Sequence, residues 1–356
     1  MNFIIQVWQV ATACYFSGNL TIVCMSGVQV TRLTCGGFIL AVRVNHTMAD
    51  AQGATQFLGA VAELARGALA PFPPPVWKRE LLDGRNQQQP ALVHDKLDEV
   101  PGSDTDHTKG SSVMLLLDNP ALRLVSFCFG PREIDAIRAQ LLPHLQKRAT
   151  KFDTIAGWIW KFRTMALAPY SNEVMMLVVV VNARGRNTAT VGGIPVGYYG
   201  NAFAVPVAMS TAGELSMNPL SYAVELVRKA KNQVDIEYMR STADLIVLRR
   251  GQSPPITAGM FSLSDTTRAK FDDLDFGWGK QVYGGPAEAV GVPSIPWVTS
   301  FLLASKNANG EDAILAPMCL PAPAMDRLVE EMSKLLRLTT DDVTQLHQPH
   351  VLPAMK

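Results

Sequence analysis

The chain is poor in the residues that would tie it to a metal or a disulfide framework. Its 356 residues hold five cysteines, Cys14, Cys24, Cys35, Cys128 and Cys319. They are scattered and odd in number, and none belongs to a CxxC pair. That spacing argues against a zinc site and against a disulfide set, so reduced thiols in a cytoplasmic protein are expected. No apolar run is long enough to span a bilayer without interruption, and no membrane partner is expected. Residues 1–24 are apolar but lack a basic n-region and a clear cleavage site, which speaks against a signal peptide. An excess of one charge is missing too: 32 Lys and Arg stand against 31 Asp and Glu, a net of +1. Without a basic block, nucleic acid has no electrostatic footing here. His347 and His350 lie close together, but no further ligand is near them in sequence, so they are not read as a metal site.

What is present is core material. Apolar residues make up 48% and charged residues 18%, the composition of a globular chain. The length suggests two domains. Residues 28–44 read as a strand pair or one bulged strand, with Gly36 and Gly37 marking a bend. A helix is expected over about residues 50–69. Phe57, Val61, Leu64 and Ala68 recur at helical spacing, and Asp50 is placed to cap it. Residues 70–120 change character, with the run APFPPP and the tract NQQQP, and read as a linker between domains. Beyond it, helices are expected over residues 131–149, 154–167, 221–239 and 325–338, and strands over 174–181 and 297–303. Strands mixed with helices in two sheet-bearing units argue for an α/β class.

Two segments carry chemistry. The first is His46-Thr47-Met48-Ala49-Asp50. A histidine at a strand end, with a carboxylate four residues on, can present a held imidazole to a substrate. Imidazole titrates near neutral pH, so it can accept a proton from an alcohol. The bland alternative is a strand-end histidine satisfied by backbone, followed by an aspartate that merely caps a helix. The second segment is Asp275-Phe276-Gly277-Trp278-Gly279. Two glycines permit a tight turn, and Asp275 and Trp278 would pin it. Its expected role is architectural, a structural turn around a buried tryptophan close to the active site.

Together, HTMAD and DFGWG resemble the paired signature of the plant BAHD acyltransferases, the HxxxD transferases. Residues 181–186, VNARGR, are similar to that family's central Asn/Asp-x-Arg-x-Arg strand end. Residues 197–201, GYYGN, are similar to its Gly-Tyr-Tyr/Phe-Gly-Asn segment. The resemblance runs over about residues 28–338. Within the family, CGGFILAVRVNHTMAD, GYYGNAFAVP and DFGWGKQVYGGPAEAV are similar to the benzyl alcohol benzoyltransferase and methanol anthraniloyltransferase group.

The resemblance implies two chloramphenicol-acetyltransferase-like domains, each a mixed sheet flanked by helices, with the first incomplete. A partial first domain is expected over residues 1–75 and a crossover linker over 76–120. The second domain would cover 121–338 and a tail 339–356. It implies an acyl-CoA co-substrate and a small alcohol acceptor, with no tightly bound cofactor, no metal and a monomeric chain. His46 would be the general base. Asp50 would turn away from the site to pair with Arg184, and Asp275, Gly277, Trp278 and Gly279 would shape the channel wall. The family has on the order of a hundred more residues before its HxxxD motif, the size of a small domain. Residues 1–27 do not resemble it, so a truncated chain is expected. Two functions follow: an aromatic acyl-CoA:alcohol acyltransferase, or a catalytically impaired paralogue that binds CoA thioesters. A hydrolase ranks last, because no GxSxG elbow is present.

Overall fold

Leu33-Thr34-Cys35-Gly36 forms the turn that folds residues 26–44 back on themselves. The Gly36 N–H donates to Leu33 O at 3.0 Å, and Gly36 takes φ +82°, where a Cβ would be strained. The flanking segments are strands β2 (Ser26–Arg32) and β3 (Phe38–Val44), paired antiparallel from Ser26↔Val44 to Arg32↔Phe38. Of the two sequence expectations, the strand pair is the one that forms. The computed structural model describes residues 3–9, 26–86, 121–185, 193–249, 257, 259–279, 281–286 and 296–336. Arg186, residues 87–120, the expected tail 339–356 with its two histidines, and Cys14 and Cys24 lie outside the described residues.

The first sheet has the order β10-β1-β3-β2. Strand β1 (Phe3–Gln9) lies parallel to β3 and to β10 (Gln281–Pro286). Residues 3–9, within the segment that does not resemble the family, therefore supply an interior strand. Helix α1 (Ala51–Ala65) covers this sheet through Ala54, Leu58 and Ala62, which are buried with Leu40, Val42, Phe271, Leu274 and Phe276. The helical period was readable, but the face was not. Phe57 is 53% exposed and Leu58 only 3%. The helix carries apolar residues on both stripes, so spacing alone does not say which stripe packs.

The second sheet has six strands in the order β4-β12-β11-β9-β5-β8. These are β4 (Leu122–Phe129), β5 (Val174–Val179), β8 (Val207–Thr211), β9 (Met260–Asp265), β11 (Thr299–Lys306) and β12 (Asp312–Pro321). It is mixed: β9 is parallel to β5 and β11, while the β4–β12, β11–β12 and β5–β8 pairs are antiparallel. A short ladder, β6 (Val181–Asn182) with β7 (Phe203–Ala204), stands beside it.

Helices α2 (Pro131–Ala139) and α3 (Pro143–Arg148) replace the single helix expected over 131–149. Pro143 starts the second and cannot continue the first. Helix α4 (Lys151–Leu167) is buried almost throughout and begins with a Thr150–Asp153 capping box. After α5 (Ala212–Met217), the helix expected over 221–239 is also two: α6 (Leu220–Asn232) and α7 (Ile236–Leu248). Asp235 accepts from the Tyr238 N–H at 2.7 Å and caps the second of these. Helix α8 (Ala322–Leu336) closes the layer. No helix among the described residues is long and apolar enough to cross a membrane.

The chain does not keep its two sheets in separate halves. After β9 in the second sheet, residues 269–276 bury Ala269, Phe271, Leu274 and Phe276 in the core of the first. Strand β10 then joins the first sheet before β11 returns to the second. The single block expected over 121–338 is interrupted there, because β10 finds its hydrogen bonds on β1.

Candidate active site

Strand β3 delivers His46 to a turn between the two sheets. Asn45 shapes that turn: its Oδ1 accepts from the Thr47 N–H at 3.0 Å and the Thr47 hydroxyl at 2.9 Å, and its carbonyl accepts from the Met48 N–H at 2.9 Å. The His46 ring is half-buried and meets the Phe203 ring edge-on, with centroids 5.9 Å apart. Among the described residues, neither ring nitrogen is engaged in a hydrogen bond, so the imidazole is available to a substrate.

Asp50 ends the turn and caps α1, accepting from the Gly53 N–H at 2.8 Å. Arg184 reaches it from just past β6. Its Nη1 lies 2.7 Å from Oδ2 and its Nη2 3.1 Å from Oδ1. The Ala202 N–H also donates to Oδ2 at 3.0 Å. Each oxygen of Asp50 thus has two donors, and the carboxylate is occupied with structure. Arg184 spends its other donors on Gly200 O at 2.5 Å and Tyr198 O at 3.3 Å.

The segments VNARGR and GYYGN meet on this turn. Asn182 donates to Gln52 Oε1 at 2.5 Å, and Gln56 donates to Gly197 O at 2.6 Å. Asn201 donates to the carbonyl of His46 itself at 2.6 Å. Gly53 packs so closely here that a Cβ would lie 1.9 Å from Tyr199 O. Burial pushes the Tyr198 phenol up, while Arg79 and Arg184 pull it down. Arg79 donates to the carbonyls of Thr47 and Met48. Asn201 and Arg79 were not among the expected site residues. Asn201 stood inside a quoted motif with no role given, and Arg79 sat in the supposed linker, where no local pattern marks it.

The DFGWG segment lies elsewhere. Asp275 Oδ1 accepts from the Gly277 N–H at 2.7 Å, and Gly277 and Gly279 take φ +81° and +124°. The buried aromatic is Phe276, at 4% exposure; Trp278 is 53% exposed and packs edge-on against Phe38. Asp275 faces Arg66 at 3.9 Å, just past the last turn of α1. His46 sits before the first turn of that helix. Fifteen residues separate the ends, about 22 Å at ~1.5 Å per residue. The motif therefore packs where the chain crosses between sheets, not around the imidazole. Among the described residues, no group of three or more His, Cys, Asp or Glu side chains is arranged to hold a metal.

The Transferase family matches the chain over residues 22–335, starting upstream of Val28, where the resemblance was expected to begin. Benzyl alcohol O-benzoyltransferase of Nicotiana tabacum is 48% identical over 311 residues, covering 87% of this chain and 64% of that protein. The Petunia hybrida enzyme of the same name is 47% identical over 310 residues, with the same coverage. Alcohol acyl transferase 2 of Malus domestica is 46% identical over 316 residues, 89% of this chain and 66% of that protein. The chain thus spans about two thirds of the length of the curated relatives it matches. Among solved structures, vinorine synthase superposes with a TM-score of 0.61 at 18% identity, covering 92% of this chain and 70% of that one. F. graminearum TRI101, complexed with coenzyme A and deoxynivalenol, gives 0.61 at 15% identity over 94% of this chain and 81% of that one. These distant structures share the α/β fold with its mixed sheets and flanking helices, and the chain belongs to the Transferase family, the BAHD transferases that its paired motifs resemble.

Proposed function

We propose that the chain is an acyl-CoA-dependent O-acyltransferase in which His46 is the general base. The observation that carries this is the His46 turn. Its imidazole has no hydrogen-bond partner among the described residues, while the backbone around it is fixed by Asn45, Asn201 and the Asp50–Arg184 pair. A base that must receive a substrate proton needs a free nitrogen on a held backbone. The names of the relatives, benzyl alcohol O-benzoyltransferase and alcohol acyl transferase, support the reaction class.

The chemistry balances without a covalent enzyme intermediate. His46 takes the alcohol proton as the oxygen attacks the thioester carbonyl. The tetrahedral oxyanion then collapses, the C–S bond breaks, and CoA leaves as thiolate, to which the imidazolium can return the proton. Asp50 does not orient His46, because its oxygens are taken up by Arg184, Gly53 and Ala202. The Phe203 ring beside the imidazole suits a flat acyl group such as benzoyl or anthraniloyl, with a small alcohol as acceptor.

The test is ester formation from benzoyl-CoA and benzyl alcohol, followed by chromatography. The chain should form benzyl benzoate, and His46→Ala should lower turnover by ~10²–10⁴-fold, the usual contribution of a positioned base. Benzoyl-CoA should still bind the variant in calorimetry. Near-normal turnover by His46→Ala would overturn the mechanism. Binding of benzoyl-CoA with no turnover by the unaltered chain would favour a non-catalytic thioester binder.

A further inference from the structure

We infer that Arg79 is a positioning residue that, together with Asn201, clamps the backbone carrying His46. Among the described residues, three consecutive carbonyls, those of His46, Thr47 and Met48, are held by these two side chains. Asn201 takes the first at 2.6 Å. Arg79 takes the next two, with Nη1 3.0 Å from Thr47 O and Nη2 on Met48 O. Among the described residues, nothing in the turn itself bonds these acceptors, since the local hydrogen bonds from Thr47 and Met48 go to Asn45. The turn is thus closed on its donor side by its own residues and on its acceptor side from outside.

The clamp stands on a fixed base. Arg79 opens a short 3-10 turn, Arg79–Leu82. Its guanidinium lies over the Trp77 ring at 4.0 Å and within 5.9 Å of the Tyr199 ring, and the two rings are themselves 5.7 Å apart. Just upstream, the Val76 N–H donates to Gly197 O at 2.8 Å, and Val76 bridges to Tyr198. Gly197, at φ +90°, lets Pro74 approach: a Cβ there would lie 2.2 Å from Pro74 O. Residues 74–79 are therefore docked on the GYYGN segment, and Arg79 reaches from there to the His46 turn. A planar fork serves two adjacent carbonyls with two nitrogens, where a lysine would have to meet both with one. The aim of His46 then depends on a contact made by a stretch that reads as linker in the sequence.

The kinetic part of this inference rests on the acyltransferase reading; the structural part does not. The experiment compares the unaltered chain with Arg79→Ala and Arg79→Lys. It measures kcat and KM for benzoyl-CoA with benzyl alcohol, and hydrogen exchange of peptides covering residues 45–53. Arg79→Ala should lower kcat about 10- to 100-fold, on the scale at which small misplacement of a reacting group acts. KM for benzoyl-CoA should move less than about threefold, because Arg79 acts through the carbonyls of the His46 turn. Exchange over residues 45–53 should quicken. Arg79→Lys keeps the charge and most of the stem, so it guards against a variant that merely fails to fold. It should lose less kcat and protection than Arg79→Ala, because one ammonium can donate to two adjacent carbonyls, as Lys161 does to those of Leu215 and Ser216. Wild-type kcat and exchange in Arg79→Ala would overturn the clamp, as would a raised KM at unchanged kcat. If the unaltered chain transfers no acyl group, the proposed function fails and the exchange measurement alone decides the clamp: faster exchange supports it, and unchanged exchange sinks it.

Discussion

Asp50 and Arg184 meet fork to fork, 134 residues apart in sequence, with nitrogen–oxygen distances of 2.7 and 3.1 Å. The pair is largely buried, with side chains 10% and 14% exposed. It ties the turn after β3 to the short ladder beside the second sheet. The HxxxD carboxylate is therefore a fastening between sheets, and this sets what its loss should do.

Asp50→Ala should cost about 3–5 kcal/mol of stability, since it strands a mostly buried guanidinium without its counter-charge. It also removes the cap from α1. Asp50→Asn, which keeps one acceptor for the Gly53 N–H, should cost less. Urea unfolding with linear extrapolation measures both. A loss below about 1 kcal/mol for Asp50→Ala would mean that the pair fastens nothing.

Gly53→Ala should destabilise the fold, although alanine is the better helix former by about 1 kcal/mol. The added Cβ would lie 1.9 Å from Tyr199 O and 3.2 Å from the Ala49 Cβ, and the first of these is backbone. Either α1 or the GYYGN segment must move. A rise in melting temperature would show that the two have room to part.

In the DFGWG segment, Phe276→Ala should cost about 3–5 kcal/mol, the range for a buried phenylalanine. Trp278→Ala should cost less, because Trp278 is half solvated. Asp275→Asn should cost under about 1 kcal/mol, because its ion pair with Arg66 is exposed and long and an asparagine can still accept from the Gly277 N–H. Chemical denaturation of the three variants checks the order. A larger loss for Trp278→Ala than for Phe276→Ala would reverse the roles assigned here.

Arg163 is a buried cation on α4. Its guanidinium lies 4.4 Å from the Phe261 ring and donates to Trp297 O at 3.2 Å, while Nε and Nη1 find no partner among the described residues. Burial alone pulls it down to about 9. A base lowered in the folded state binds fewer protons there than in the unfolded chain, so stability rises with pH from about 9 upward and the cost is present in full below that. Arg163→Met, which keeps the packing volume, should be as stable as the unaltered chain or more so near neutral pH. Its advantage should shrink as pH is raised through about 9. Urea midpoints across that range test this, and a large loss at neutral pH would mean the charge is needed.

The sequence by itself determined the local structure around the site. An apolar run with Ile39, Val42 and Val44 β-branched made residues 38–44 a strand, and Asp50 was placed to cap the helix that follows. HTMAD and DFGWG, with VNARGR and GYYGN between them, carried the resemblance to the family now shown. These features are legible because strand pleat, helix period and cap chemistry act within a few residues. Tertiary structure decided the rest. Apolar residues on both stripes of α1 left its inward face open until Leu40, Val42 and Phe276 took Ala54, Leu58 and Ala62. The break at Gln233 was local, marked by the Asp235 cap, and could have been read. The place of DFGWG was not local: it lies far from His46 because β10 completes its hydrogen bonds on β1, two hundred and more residues earlier in the chain. The hold of Arg79 and Asn201 on the His46 turn was equally invisible in sequence. A backbone carbonyl has no residue type, so no pattern in the chain announces which side chain will reach it.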